Sequence, residues 1–376
     1  MKKIEEQPQS DPQSGAHSYG HSAADDNRSL PGSRGWIVVV LGLLFLAGFG
    51  LSLIYGSVKI PLEDVIKVLS GVNIDHPTWR TIILDFRLPK SLTAILAGAA
   101  LSVSGLQMQT LFRNPLADPF ILGVSSGASL GVALILLNAG AAGSFLLSGL
   151  GYFGNLGIAG AASLGAAFVL GLVLLVARRT HSTLVLLILG LMFSYITGAI
   201  VSLLFYFSIH ERIQAYIAWS FGSFGGVTWS EMKVMAPIVL VGLGLALIAP
   251  KPLNALLLGE SYAQSMGLNI KQTRLRVILS TSLLAGVVTA FCGPISFLGL
   301  AVPHICRGLF QTSDHRVLIP LSCLLGAILA LFADLAAQLP NTQIILPLNV
   351  ITSLIGAPIV IWVLLTQYHL RAEMRS

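Results

Sequence analysis

Ten stretches of this chain read as helix-length apolar runs, near residues 36–56, 91–111, 119–138, 155–177, 183–207, 233–249, 276–292, 296–310, 317–338 and 347–366, and each carries at most one Asp, Glu, Lys or Arg. Roughly 20 apolar residues in a helix cross the ~30 Å hydrocarbon core of a bilayer. Charged residues make up only 10% of the 376-residue chain and hydrophobic ones 55%, whereas soluble domains carry roughly 25% charged residues. In lipid every backbone N–H and C=O must be satisfied internally, which leaves helices or closed barrels. Runs this long and uninterrupted predict an all-α fold: a polytopic helical membrane protein with about ten transmembrane helices. The run at 296–310 is short for a crossing, and without it the C-terminus would lie on the opposite side.

Residues 1–35 contrast with the rest. Gln, Ser, Asp, His and Gly dominate there, and too few large apolar side chains are present to offset the entropy of ordering, so the segment is expected to be a disordered N-terminal tail. The first apolar run, from Trp36, is too long for a signal-peptide core and is expected to stay as an anchor. With ten crossings and a cytoplasmic N-terminus, fifteen of the 22 Lys and Arg residues fall on the inner side and seven on the outer. That asymmetry obeys the positive-inside tendency and places both termini in the cytoplasm. It also accounts for the net charge of +6 without a nucleic-acid partner, since no basic cluster with interleaved aromatics is present.

No convergent set of nucleophile, acid and base stands out, so no catalytic residue is assigned. The sequence lacks the GxxxxGK[ST] phosphate loop; ATP and Mg would have to be bound by a partner, and no cofactor is assigned to this chain. Cys292, Cys306 and Cys323 show no metal-ligand spacing, and His304 reads as a structural hydrogen-bonding residue, so no metal site is expected. Asp118 and Asp334 are the acids near or within spans, and both read as capping or packing groups. That scarcity of intramembrane charge argues against a proton-coupled secondary transporter. A membrane scaffold without transport is the other rival reading.

The segment 87–131, RLPKSLTAILAGAALSVSGLQMQTLFRNPLADPFILGVSSGASLG, resembles the signature region of the FecCD-type permeases, an importer family for ferric siderophores, haem and vitamin B12. GPISFLGLAVPHICRGLFQTSDHRVLIPLSCLLGAILALFADLAAQLP, 293–340, is similar to the family's second signature, and LPLNVITSLIGAPIVIWVLL, 346–365, to its C-terminal helix. The resemblance spans roughly 36–370 and implies one permease domain of the type II ABC importer architecture. It further implies a homodimer or paired permease, two cytoplasmic ATPase subunits and an extracytoplasmic substrate-binding protein, in the inner membrane.

It implies site residues as well. The cytoplasmic loop 251–275 would couple to the ATPase through Gly259, Glu260, Ser261, Ala263 and Gly267. Arg87 and Lys90 would meet acidic residues of the binding protein, with Lys90 standing where the family has arginine. Gate positions would be Asn114 and Leu116 in RNPLADP and Thr183 and Leu184 at the start of the fifth span. Three positions depart from the family pattern: Leu184, Gln338 where a basic residue is common, and Asn349 where glycine is. A ferric siderophore or similar large metal chelate is the expected cargo, with haem and cobalamin as alternatives.

Overall fold

The structure, a computed structural model, describes residues 35–56, 58–72, 76–137, 151–179, 182–338 and 345–373. The expectation for the tail lies outside the described residues but for Gly35, which opens the first helix. In chain order the helices are α1 Gly35–Ile54, α2 Leu62–Leu69, α3 Pro77–Thr81, α4 Leu88–Leu111, α5 Val124–Leu136, α6 Gly151–Arg179, α7 Thr183–Phe207, α8 His210–Ser220, α9 Trp229–Leu247, α10 Pro250–Leu257, α11 Glu260–Ser265, α12 Ile270–Cys292, α13 Leu298–Phe310, α14 His315–Ala337 and α15 Leu348–Glu373. Among the described residues the nearest thing to a strand is one isolated bridge between Gln338 and Ile345.

Seven helical stretches are long and apolar enough to cross a membrane, and three shorter apolar helices lie at Val124–Leu136, Leu298–Phe310 and Leu348–Trp362. Each of the ten apolar runs thus becomes a helix. Two of the shorter ones have local causes. In the run from 119 the chain first makes a 3₁₀ turn, Pro119–Leu122, whose N-terminus is capped by Asp118 Oδ1 accepting from the Phe120 N–H at 2.8 Å, so α5 begins only at Val124. Helix α13 is bounded by left-handed residues at both ends, Phe297 (φ 69°) and Gln311 (φ 48°), a conformation that a right-handed helix cannot continue through.

α3 continues through a π-helical stretch, Ile82–Arg87, into α4. Pro89 lies just beyond it; a proline ring crowds the carbonyl four residues back in a regular α-helix and offers no N–H to it, and a wider turn relieves both. α4 is the hub of the bundle, packed against α1, α9, α10, α12, α13 and α14. Its small residues allow this: a Cβ on Gly98 would strike the Gly326 carbonyl of α14, and one on Gly105 the Gly299 carbonyl of α13. Between apolar helices in lipid, such backbone approach supplies the van der Waals contact that the hydrophobic effect does not.

The hub also holds polar side chains. Gln107 Oε1 accepts from Ser280 Oγ (3.1 Å) and Thr281 Oγ1 (3.0 Å) of α12. Arg307 of α13 donates to Gln109 Oε1 at 2.6 Å, while Gln109 Nε2 donates to the Leu300 carbonyl. These bonds fix the register of α12 and α13 against α4, because a buried amide with its partner withdrawn would lose a hydrogen bond that no solvent replaces.

Candidate functional site

At one end of the bundle the segment between α9 and α12 folds into α10 and α11, joined through Gly259. Gly259 has φ +113°, a value that side-chain-bearing residues rarely adopt, and so permits the sharp change of direction between the two helices. Of the residues implied in coupling, Gly259 and Ala263 are buried, Glu260 is half-buried, and Ser261 and Gly267 are exposed. Glu260 Oε1 accepts from Arg274 Nη2 at 2.8 Å, and Arg274, at the start of α12, is 2% exposed. This pair ties α11 to a long helix of the core. Around it, Leu258, Tyr262 and Met266 are exposed apolar side chains, and Glu260, Ser261, Gln264, Lys271 and Arg274 line a groove of about 520 Å³. The loop expected at 251–275 thus holds two short helices, α10 and α11, the second lying between Gly259 and Gly267.

The candidate gate loop follows α4 at the same end. Arg113 is left-handed (φ 48°) and turns the chain out of the helix. Asn114 Oδ1 accepts from the Leu116 N–H at 3.0 Å, closing a local turn, and the Pro115 carbonyl accepts from His304 Nε2 of α13 at 2.8 Å. Because a carbonyl only accepts, His304 carries its hydrogen on Nε2. Leu116 is 40% exposed and Leu184, at the start of α7, 65%; the side chain of Thr183 lies outside the described residues. α7 packs on the 3₁₀ turn after the gate loop, so Asn114, Leu116 and Leu184 share this end of the bundle.

The opposite end holds Arg87 and Lys90, and both have partners within the chain. Arg87, 8% exposed, donates to the carbonyls of Leu53 (2.6 Å), Ile54 (2.8 Å) and Val58, so it caps the C-terminus of α1. Lys90 Nζ lies 2.9 Å from Asp334 Oδ2, which also accepts from Gln338 Nε2 at 2.9 Å. Gln338, one of the departures from the family pattern, thus completes the shell of Asp334. Arg87, Lys90, Asp334, Gln338 and Phe221 line a cavity of about 540 Å³. Asn349, another departure, donates to the Pro294 carbonyl (2.6 Å) and the Ser220 carbonyl (3.1 Å) and accepts from the Ser296 N–H (3.0 Å). It joins the start of α15 to the end of α8 and to the loop before α13, contacts that a glycine's missing side chain would not make.

Sequence reasoning did not single out Thr110, Asn254, Asp314 or His315, which form a chain of hydrogen bonds at the α10–α11 end. Thr110 gave no distinct signal, being one of several polar residues along α4 beside Ser104, Gln107 and Gln109.

Known proteins of similar sequence and fold identify the family. The sequence profile of the FecCD transport family matches residues 43–366. The uncharacterized ABC transporter permease protein YvrB of Bacillus subtilis is 34% identical over 340 residues, 88% of this chain and 94% of that one. The vitamin B12 import system permease protein BtuC of Salmonella typhi is 39% identical over 283 residues, 75% of this chain and 82% of that one. A solved inward-facing structure of a transporter assigned to the metal-chelate ABC type superposes with a TM-score of 0.75 at 29% identity, covering 88% of this chain and 99% of that one. With ten apolar helices and a family profile over most of its length, the chain belongs to the FecCD transport family, as a membrane-spanning permease of ABC importers and not an enzyme.

Proposed function

We propose that the chain forms the translocation path of an ATP-driven importer for a large metal chelate, with ATP and Mg bound by a partner ATPase. The observation that carries this reading is the α10–α11 pair: two short helices, held to the core through Glu260–Arg274, that keep Ser261, Tyr262 and Met266 exposed at one end. Such a surface suits a groove on a partner subunit, and its ion pair passes force to α12. ATP binding would close the ATPase dimer, shift α10–α11 and change the gate formed by Asn114, Leu116, Thr183 and Leu184. The opposite end, with its 540 Å³ cavity, suits the face of a binding protein; Lys90 would pair with an acid of that face by exchanging its Asp334 partner, and charge pairing there would fix register. Arg87, spent on the α1 carbonyls, contributes through the shape of that end. A second permease copy would complete the path, and the orientation with α10–α11 in the cytoplasm follows the Lys and Arg asymmetry.

The cargo class is supported by the B12 import name of the BtuC relatives and the metal-chelate type of the solved neighbour. A ferric siderophore, haem and cobalamin are the three chelates to compare. The test is reconstitution of the chain with its co-purifying ATPase and binding protein in liposomes, measuring uptake of each. Uptake of one chelate that requires ATP hydrolysis is the expected result. Uptake that survives ATP depletion and collapses with the proton gradient would overturn the reading in favour of a secondary transporter.

A further inference from the structure

A polar chain, half-buried at Asn254 and Asp314 and buried at His315 and Thr110, crosses from α10 to α14 and on to α4. Asn254 Nδ2 donates to Asp314 Oδ1 at 2.6 Å. As a carboxylate oxygen accepts, this contact fixes the orientation of the amide and leaves Asn254 Oδ1 as an acceptor. That oxygen takes the backbone N–H of His315 at 2.9 Å and faces its ring Nδ1 at 2.7 Å. Nδ1 therefore carries a hydrogen, and in the neutral ring Nε2 holds the lone pair. Nε2 lies 2.7 Å from Thr110 Oγ1, in the last turn of α4. His315 has no exposure and Thr110 1%.

The sequence positions of these groups give the chain its meaning. Three residues after Thr110 comes Arg113, whose left-handed backbone opens the gate loop, and whose guanidinium Nη1 lies 3.6 Å from where a Cβ on Gly259 would be. The gate loop thus meets the α10–α11 segment at two points: through His315 and Asn254 just before it, and through Arg113 beside Gly259. On its far side His304 holds the Pro115 carbonyl. Thr110 Oγ1 also lies 3.0 Å from the Leu106 carbonyl of its own helix and keeps that partner if the imidazole leaves, but His315 has no such reserve: α10 cannot move away from α4 without stripping a partner from the buried imidazole, so displacement of α10 carries the end of α4 and the head of α14 with it.

We propose that Asn254, His315 and Thr110 are positioning residues that relay movement of α10–α11 to the gate loop at 112–118. The proposal rests on the reading of the chain as an ATP-driven permease. Its test uses the complete permease–ATPase complex in lipid discs, with Leu116→Cys as a thiol reporter of the gate; the native cysteines are buried or half-buried in the bundle. Labelling of that thiol by a soluble maleimide is compared with and without ATP and Mg²⁺, alongside the ATPase rate. With the relay intact, nucleotide changes the labelling rate about fivefold or more, the lower end of ordinary allosteric coupling. In Thr110→Val, which keeps shape and loses the hydroxyl, and in Asn254→Ala, the ATPase stays bound and turns over while the labelling ratio falls toward one. Thr110→Ser restores it, and joining Thr110→Val to Asn254→Ala adds little to either alone. A full nucleotide response in both single variants would overturn the relay while leaving the permease reading intact. So would loss of ATPase binding in Thr110→Val, because the chain would then shape only the docking surface. A parent complex that binds no ATPase would instead overturn the permease reading, and the relay with it.

Discussion

α4 and α7 are both long membrane helices, yet their surroundings are opposite. In the stretch containing α4, 83% of the most apolar window is buried inside the bundle, while for α7 the figure is 17%. The buried helix is the less apolar of the two: α4 carries Ser102, Ser104, Gln107, Gln109 and Thr110, whereas α7 is dominated by Leu, Ile, Val, Phe and Tyr. In a soluble protein the order would be reversed. In a bilayer, large apolar side chains gain little by turning inward, so they mark faces left for lipid or another subunit, and small or hydrogen-bonding residues mark helix–helix contact. The comparison therefore separates a helix that organises this fold from one that closes it against its surroundings.

The most severe way to break that comparison is to thicken α4. Gly105→Leu would push a side chain into the Gly299 carbonyl, backbone that cannot rotate aside, at a cost on the order of 3 kcal/mol or more. Loss of the monodisperse, detergent-solubilised species by size-exclusion chromatography is the expected outcome, whereas Gly160→Ala in α6, where an added Cβ meets nothing within 4 Å, should leave it unchanged. A normal elution profile and melting temperature for Gly105→Leu would show that α4 is not tightly packed at this crossing.

A smaller effect is expected at the start of α4. Arg87→Met keeps much of the apolar stem but leaves the carbonyls of Leu53, Ile54 and Val58 without their donor, and these lie beside a largely buried group. A cost of about 2 kcal/mol follows, read as a lower melting temperature of the isolated permease. If stability were unchanged and only capture of a binding protein weakened, Arg87 would act as a docking charge and not as the cap of α1.

How much of this contrast could be read beforehand varies with the range of the interactions. The crossings were legible because each is encoded by a continuous apolar run; even the short run at 296–310 marks a real helix, α13. Local punctuation was legible too. Pro61 and the acids after it announce α2, and Gly259 and Gly267 bracket α11. The candidate gate and coupling residues were placed through family resemblance, and their neighbourhood came only with the fold. Thr110, Asn254 and His315 are separated by more than a hundred residues in the chain at one step and by about sixty at the next, so no local pattern joins them. The cap that Arg87 makes on α1 escaped for the same reason: an arginine at a helix start reads as a surface charge until the end of another helix is found beneath it.

The finest test concerns α7 itself. Its exposed side chains form two stripes at helical spacing, Leu184, Ile188, Leu191 and Tyr195 on one and Met192, Ile196, Leu203 and Phe207 on the other. With so little of the helix packed against its own chain, Leu203→Ala should change the stability of a single permease by no more than about 0.5 kcal/mol. Melting of the monomer in detergent checks this, and a loss comparable to that of a core substitution would remove the distinction between α7 and α4. The same substitution then discriminates between the two fates of an exposed membrane face. If the stripe faces lipid, Leu203→Ala leaves association unchanged as well; if it packs on a second copy, the monomer melts as before while the dimer dissociates at lower dilution, since truncating an interface side chain acts on the complex and not on the free subunit. Repeating the measurement with Leu191→Ala on the other stripe assigns each face of α7 to lipid or to the partner copy.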